Sequence, residues 1–132
     1  TWLVRDQYAY LLDVYRAKLE FPQLHRRIPS LAAEYSANLV LIEEAGSGVQ
    51  LIQSLKVETT LNIKGVLPKD DKATRFLAVS PKIEAGRVII PQEAPWLADF
   101  QREITLFPNG KHDDQVDNLS QFLNWFAKNF NR

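Results

Sequence analysis

An α/β fold is predicted by three features of the sequence. Short β-prone runs alternate along the chain with segments of helical periodicity, the order expected of layered strands and helices. Leu39-Val40-Leu41-Ile42 is continuously apolar, as a strand buried on both sides requires. Val116, Leu119, Leu123, Phe126 and Phe130 recur at three- and four-residue spacing, so one helical stripe can lie on a core. At 132 residues and 45% hydrophobic, the chain has the size and apolar content of one domain, 1–132.

Taken in order, Thr1 to Arg5 and Tyr8 to Tyr15 are β-prone runs separated by Asp6-Gln7, which predicts an antiparallel hairpin with a tight turn. Asp13, in the second run, is either a strand-end ligand or, as isolated acids more commonly are, structural or solvent-facing. From Pro22 to Ser36, Leu24, Ile28, Leu31, Ala32 and Tyr35 keep helical spacing. Pro22 suits the first turn of that helix and Pro29 predicts a kink. Its basic run His25-Arg26-Arg27 is either a phosphate contact or, more commonly, a solvated face.

The apolar strand ends in Glu43-Glu44, and a glycine turn at Gly46-Ser47-Gly48 opens a short helix over Val49 to Val57. Leu61 to Val66 is a further strand, leading into the charged loop Pro68-Lys69-Asp70-Asp71-Lys72. Lys72 to Ala85 reads as a helix stopped by Gly86, Arg87 to Pro91 as a short strand, and Trp96 to Phe107 as an amphipathic helix. Lys69, Lys72 and Arg75 either face phosphate or solvate their helix. There is no internal repeat.

Composition narrows the chemistry. The chain has no cysteine, which removes disulfides and thiolate metal sites and leaves oxygen and histidine as ligands. No apolar run approaches the ~18 residues of a membrane span, and the first residues lack a signal-peptide pattern, so a soluble protein without a membrane partner is expected. Sixteen basic residues balance sixteen acidic ones, so any nucleic-acid surface must be local. The Walker A pattern of nucleotide hydrolases does not occur.

Acids concentrate at one place. The turn signal Pro108-Asn109-Gly110 leads through Lys111 and His112 to Asp113, Asp114 and Asp117 at the start of the last helix. On that helix Asp113 and Asp117 share a face with Ser120 and Asn124, and Asp114 neighbours Asp117. Orphan amides and the helix dipole favour an aspartate at such a start. Three within five residues exceed what capping needs. Carboxylates so close repel one another unless a cation sits between them, and hard ions such as magnesium take oxygen ligands. Glu43 is the second candidate, because ligands of open α/β sheets bind beyond the carboxyl ends of strands. Its alternative role is to solubilise a strand end.

Several stretches together resemble the C-terminal nuclease domain of phage terminase large subunits, which has a ribonuclease H-like fold. They are Tyr10-Leu11-Leu12-Asp13-Val14-Tyr15-Arg16, Leu41-Ile42-Glu43-Glu44 with Gly46-Ser47-Gly48, Thr74-Arg75 with Ala78-Val79-Ser80-Pro81, Glu84-Ala85-Gly86-Arg87-Val88, Ala94-Pro95-Trp96-Leu97, and Phe107-Pro108-Asn109-Gly110-Lys111-His112-Asp113-Asp114-Gln115-Val116-Asp117. The resemblance runs nearly end to end. It implies a mixed sheet flanked by helices and a DNA endonuclease that cuts concatemeric DNA during packaging. Carboxylates of such enzymes hold two magnesium or manganese ions ~3.5–4 Å apart, one activating the attacking water and the other stabilising the leaving oxygen. On that pattern Glu43 matches the second acid of the family, Asp113 and Asp114 match its His-Asp-Asp motif, and Asp117 supports them as a metal ligand. His112 either orients a water or carboxylate or caps the turn.

Two departures accompany the match. Ala45 stands where the family commonly has a lysine, and the chain begins at what reads as the second strand, without the preceding central strand and its aspartate. The expectation is an N-terminally truncated domain that lacks one metal-binding acid, with impaired cutting and with unpaired strands that re-pair or join copies into a homo-oligomer. The partners implied are double-stranded DNA and, in the intact protein, the terminase ATPase domain, small subunit and portal, in the cytoplasm of a bacterial host. Two alternatives stand beside this reading: a prophage remnant retaining only binding contacts, and another ribonuclease H-like nuclease such as a junction resolvase.

Overall fold

The computed structural model describes residues 1–130. The chain gathers into two compact units, one of Thr1–Tyr15 with Lys69–Arg132 and the other of Arg16–Pro68.

In the first unit, β1 (Trp2–Arg5) and β2 (Tyr8–Leu11) pair antiparallel, with Trp2 opposite Leu11 and Arg5 opposite Tyr8. Asp6 and Gln7 turn the chain with positive φ of 52° and 67°, the mirror-image turn whose twist suits a hairpin. The hairpin predicted from the sequence therefore forms without a glycine. β2 is shorter than predicted: beyond Leu11 the amides of Leu12 and Asp13 turn to the Thr1 carbonyl, at 2.9 and 3.5 Å. Asp13 consequently lies outside the strand. β5 (Val88–Ile89) adds in parallel beside β2, giving a mixed sheet of order β1-β2-β5.

Three helices complete this unit: α3 (Lys72–Glu84), α4 (Leu97–Leu106) and α5 (Asp114–Phe130). α5 carries the core. Val116, Leu119, Leu123 and Phe126 of the predicted stripe are buried, and so is Phe122, which the stripe did not include, whereas Phe130, at its end, is exposed. The Trp2 indole of β1 stacks on Phe122 with ring centres 4.5 Å apart. Burying each such side chain contributes on the order of 1.5–3 kcal/mol, which makes the helix that bears the aspartates also the centre of its unit.

The second unit contains α1 (Phe21–Glu34), β3 (Val40–Glu43), α2 (Gly48–Glu58) and β4 (Ile63–Val66). α1 opens with Pro22 near its N-terminus and a capping box of Glu20 and Gln23, and it runs on through Pro29. β3 and β4 are parallel, Val40 opposite Ile63 and Glu43 opposite Val66, so β3-α2-β4 is a parallel crossover unit. Leu51, Ile52 and Leu55 of α2 pack with Ile63, Val40, Ile42 and residues of α1. The sequence predicts β3 to be buried on both sides, but it is half-buried. Val40 and Ile42 face the helical core, while strand alternation puts Leu41 on the other face.

Candidate functional site

The start of α5 is fixed from another helix. Glu103 of α4 is 6% exposed; its Oε2 accepts the Val116 amide at 2.8 Å and its Oε1 accepts Gln115 Nε2 at 3.0 Å. An acceptor at this place satisfies an amide that the helix itself cannot. The first turn, with its aspartates, is thereby held against α4. Sequence reasoning missed Glu103. The signal was present, because Glu103 lies one turn after Phe100, another buried residue of α4, and a carboxylate on a buried helix face needs partners.

The Asp113 carbonyl accepts the Asp117 amide at 2.9 Å, the first helical bond of α5. Asp113 and Asp117 turn toward α3, and cations meet them there. Lys72 Nζ lies 2.9 Å from Asp113 Oδ1 and 3.3 Å from Asp117 Oδ2, and Arg75 Nη2 lies 3.1 Å from Asp117 Oδ1. Arg75 is further held by Nη1 donating to the Asp70 carbonyl at 3.0 Å, and Asn124 Nδ2 donates to the Arg75 carbonyl at 3.3 Å. The predicted face of Asp117 and Asn124 is therefore the one applied to α3. Hydrogen bonds first to Asp113 and then to Asp117 raise the Lys72 pKa above its ordinary value. At the head of α3, Asp71 Oδ1 accepts the Thr74 amide at 2.7 Å, and that bond holds the Asp71 carboxyl below its usual range.

Asp114 and His112 are exposed. Among the described residues, no group of three or more histidine or acidic side chains is gathered as a metal centre. The donor chemistry of the pair nevertheless suits a hard cation: two carboxylates, one oxygen of each, already converge on the positive charge of Lys72.

Glu43 is in the other unit, at the last position of β3, and is exposed. The turn behind it is tight. A Cβ at Gly48 would collide with the Glu43 carbonyl, so only glycine lets α2 begin there. The Glu44 amide donates to the Val66 carbonyl at 2.8 Å, and the Glu44 side chain lies over Gly65 where a Cβ would stand. In the same unit His25 Nε2 lies 2.9 Å from Ser54 Oγ and 3.1 Å from Glu58 Oε2. Serine and acid share one ring nitrogen, whereas a nucleophilic relay places them on opposite nitrogens. This trio joins α1 to α2 and is not an acyl-transfer site.

The family model of the Terminase RNaseH-like domain matches residues 2–126. The chain belongs to this family. Comparison with curated proteins and with solved structures gave no match. The match covers every strand and the start of α5, so Glu43, Asp113, Asp114 and Asp117 all lie within the family domain. The match points to a phage terminase nuclease, and among the described residues the mixed α/β order of five strands and five helices is consistent with an RNaseH-like domain. Among the described residues no helix is long and apolar enough to cross a membrane.

Proposed function

We propose that this chain is the DNA-cutting domain of a phage or prophage packaging terminase, a metal-dependent endonuclease acting on double-stranded concatemers. The observation that carries the reading is the family match over residues 2–126. The match of the Glu43 strand end and of the His112-Asp113-Asp114 stretch to the family's motifs supports assigning the chemistry to these acids. Glu43, Asp113 and Asp114 are the catalytic carboxylates, with Asp117 as a further ligand. These oxygens would hold magnesium or manganese, which when bound would activate the attacking water and stabilise the leaving oxygen. Glu103 keeps the α5 carboxylates in place, and Gly48 lets the start of α2 pass close against the Glu43 carbonyl. The ATPase domain, the small subunit and the portal are its partners in the assembled packaging machine.

A second reading is a module that binds DNA or protein without cutting. It is favoured by the engagement of Asp113 and Asp117 with Lys72 and Arg75. The two readings separate in a nicking assay on supercoiled plasmid with manganese, run beside a filter-binding measurement on the same DNA. A nuclease nicks the plasmid, and Glu43→Ala or Asp114→Ala lowers the rate by about 100-fold or more while leaving thermal stability unchanged. DNA binding without nicking, indifferent to both substitutions, establishes the binding module instead.

A further inference from the structure

Asp117 is held unequally by its two cationic partners. Arg75 is fixed three ways: its guanidinium binds Asp117 Oδ1 and the Asp70 carbonyl, its backbone carbonyl accepts from Asn124, and its side chain is only 18% exposed. Lys72 has no such anchorage. Its side chain is 46% exposed, and its ammonium contacts the carboxylates of Asp113 and Asp117. Arg75 thus orients Asp117, occupying Oδ1 and presenting Oδ2, whereas Lys72 occupies the space between Asp117 Oδ2 and Asp113 Oδ1.

We infer that Lys72 is a tethered counter-ion that keeps Asp113 and Asp117 paired and gives way when a divalent cation takes up their oxygens. The inference rests on the reading of these aspartates as metal ligands. Its physical basis is competition. An ammonium and a divalent ion cannot share two carboxylate oxygens at contact distance, because like charges repel there strongly. The flexible four-carbon stem of lysine lets the ammonium swing out to water, where it is well solvated, whereas the forked and anchored Arg75 stays. Lys72 lies in the first turn of α3, so the exchange changes the charge environment of that helix start without disturbing the buried stripe of α5.

The test is manganese binding measured by electron paramagnetic resonance on the wild-type chain, on Lys72→Gln and on Lys72→Arg, with Asp117→Asn as the control that locates the site. Exposed ion pairs are individually weak, so removing the two made by Lys72 is expected to tighten manganese binding by about fivefold. Lys72→Arg, which keeps the charge, binds no more tightly than wild type. Equal affinity in Lys72→Gln and wild type, with binding lost in Asp117→Asn, overturns the role of Lys72 and leaves the aspartates as ligands. No manganese binding in any variant overturns the metal reading and the inference with it. A second readout needs no substitution of Lys72: in a magnesium titration of the wild-type chain followed by NMR, the side-chain ammonium signal of Lys72 shifts together with the carboxylate carbons of Asp113 and Asp117. Carboxylate shifts with an unmoved ammonium refute the exchange.

Discussion

Replacing Glu103 with alanine tests whether α4 holds the aspartate-bearing helix. The carboxylate is buried and accepts two hydrogen bonds, from the Val116 amide at 2.8 Å and from Gln115 Nε2 at 3.0 Å. Loss of an acceptor at a helix start costs about 0.5–2 kcal/mol. A buried amide left without its acceptor adds about 1–3 kcal/mol, and Gln115 is itself buried. Allowing for relaxation, Glu103→Ala is expected to destabilise by about 3 kcal/mol, a fall in Tm of about 10 °C for a chain of this size. Glu103→Gln keeps one acceptor oxygen and is expected to lose about half as much. Urea unfolding followed by far-UV circular dichroism measures both, and a cycle with Gln115→Ala isolates the pair, with an expected coupling of about 1 kcal/mol or more. A Tm within about 2 °C of wild type for Glu103→Ala would refute the claim that this carboxylate anchors α5.

Two further outcomes follow from the same unit. The Asp71 carboxyl is held low, chiefly by the Thr74 amide, so its contribution is present above the ordinary aspartate range and is lost as pH falls through the lowered folded value. The Tm difference between wild type and Asp71→Ala should therefore be largest near neutrality and shrink as pH falls below the ordinary aspartate range, and a difference constant from neutrality into acid contradicts the assignment. Leu123 is wholly buried on α5, so Leu123→Ala is expected to cost about 3 kcal/mol in urea unfolding; a loss below about 1 kcal/mol would show that this stripe is not the core.

Most of the fold was legible because its signals are local. The hairpin at Asp6-Gln7, the proline-led α1, the helix ended by Gly86 and the stripe of α5 depend on residues a few positions apart. What was illegible depended on partners distant in sequence. The continuous apolar composition of β3 implies burial on both sides, yet its burial is decided by which elements cover each face, and its apolar residues are half-buried. The β-prone run extends past β2 because Leu12, Val14 and Tyr15 continue its composition across Asp13, and only the approach of Thr1 shows where the ladder ends.

The candidate site divides along the same line. The spacing of Asp113 and Asp117 puts them one turn apart on any helix, so their shared face followed from periodicity. Their charge partners come from α3, 41 and 42 residues earlier, where Lys72 and Arg75 read equally well as phosphate contacts or a solvated face. That contact answers the electrostatic difficulty the acid cluster raised. Adjacent carboxylates need a cation, and here the fold supplies two of its own: a half-buried guanidinium that sets the orientation of Asp117 and a more exposed ammonium between Asp117 and Asp113. A surface ion pair alone adds little stability, so α5 must be held in place by its buried stripe and Glu103. The ammonium can then leave without loss of the helix, as the proposed exchange with a divalent cation requires.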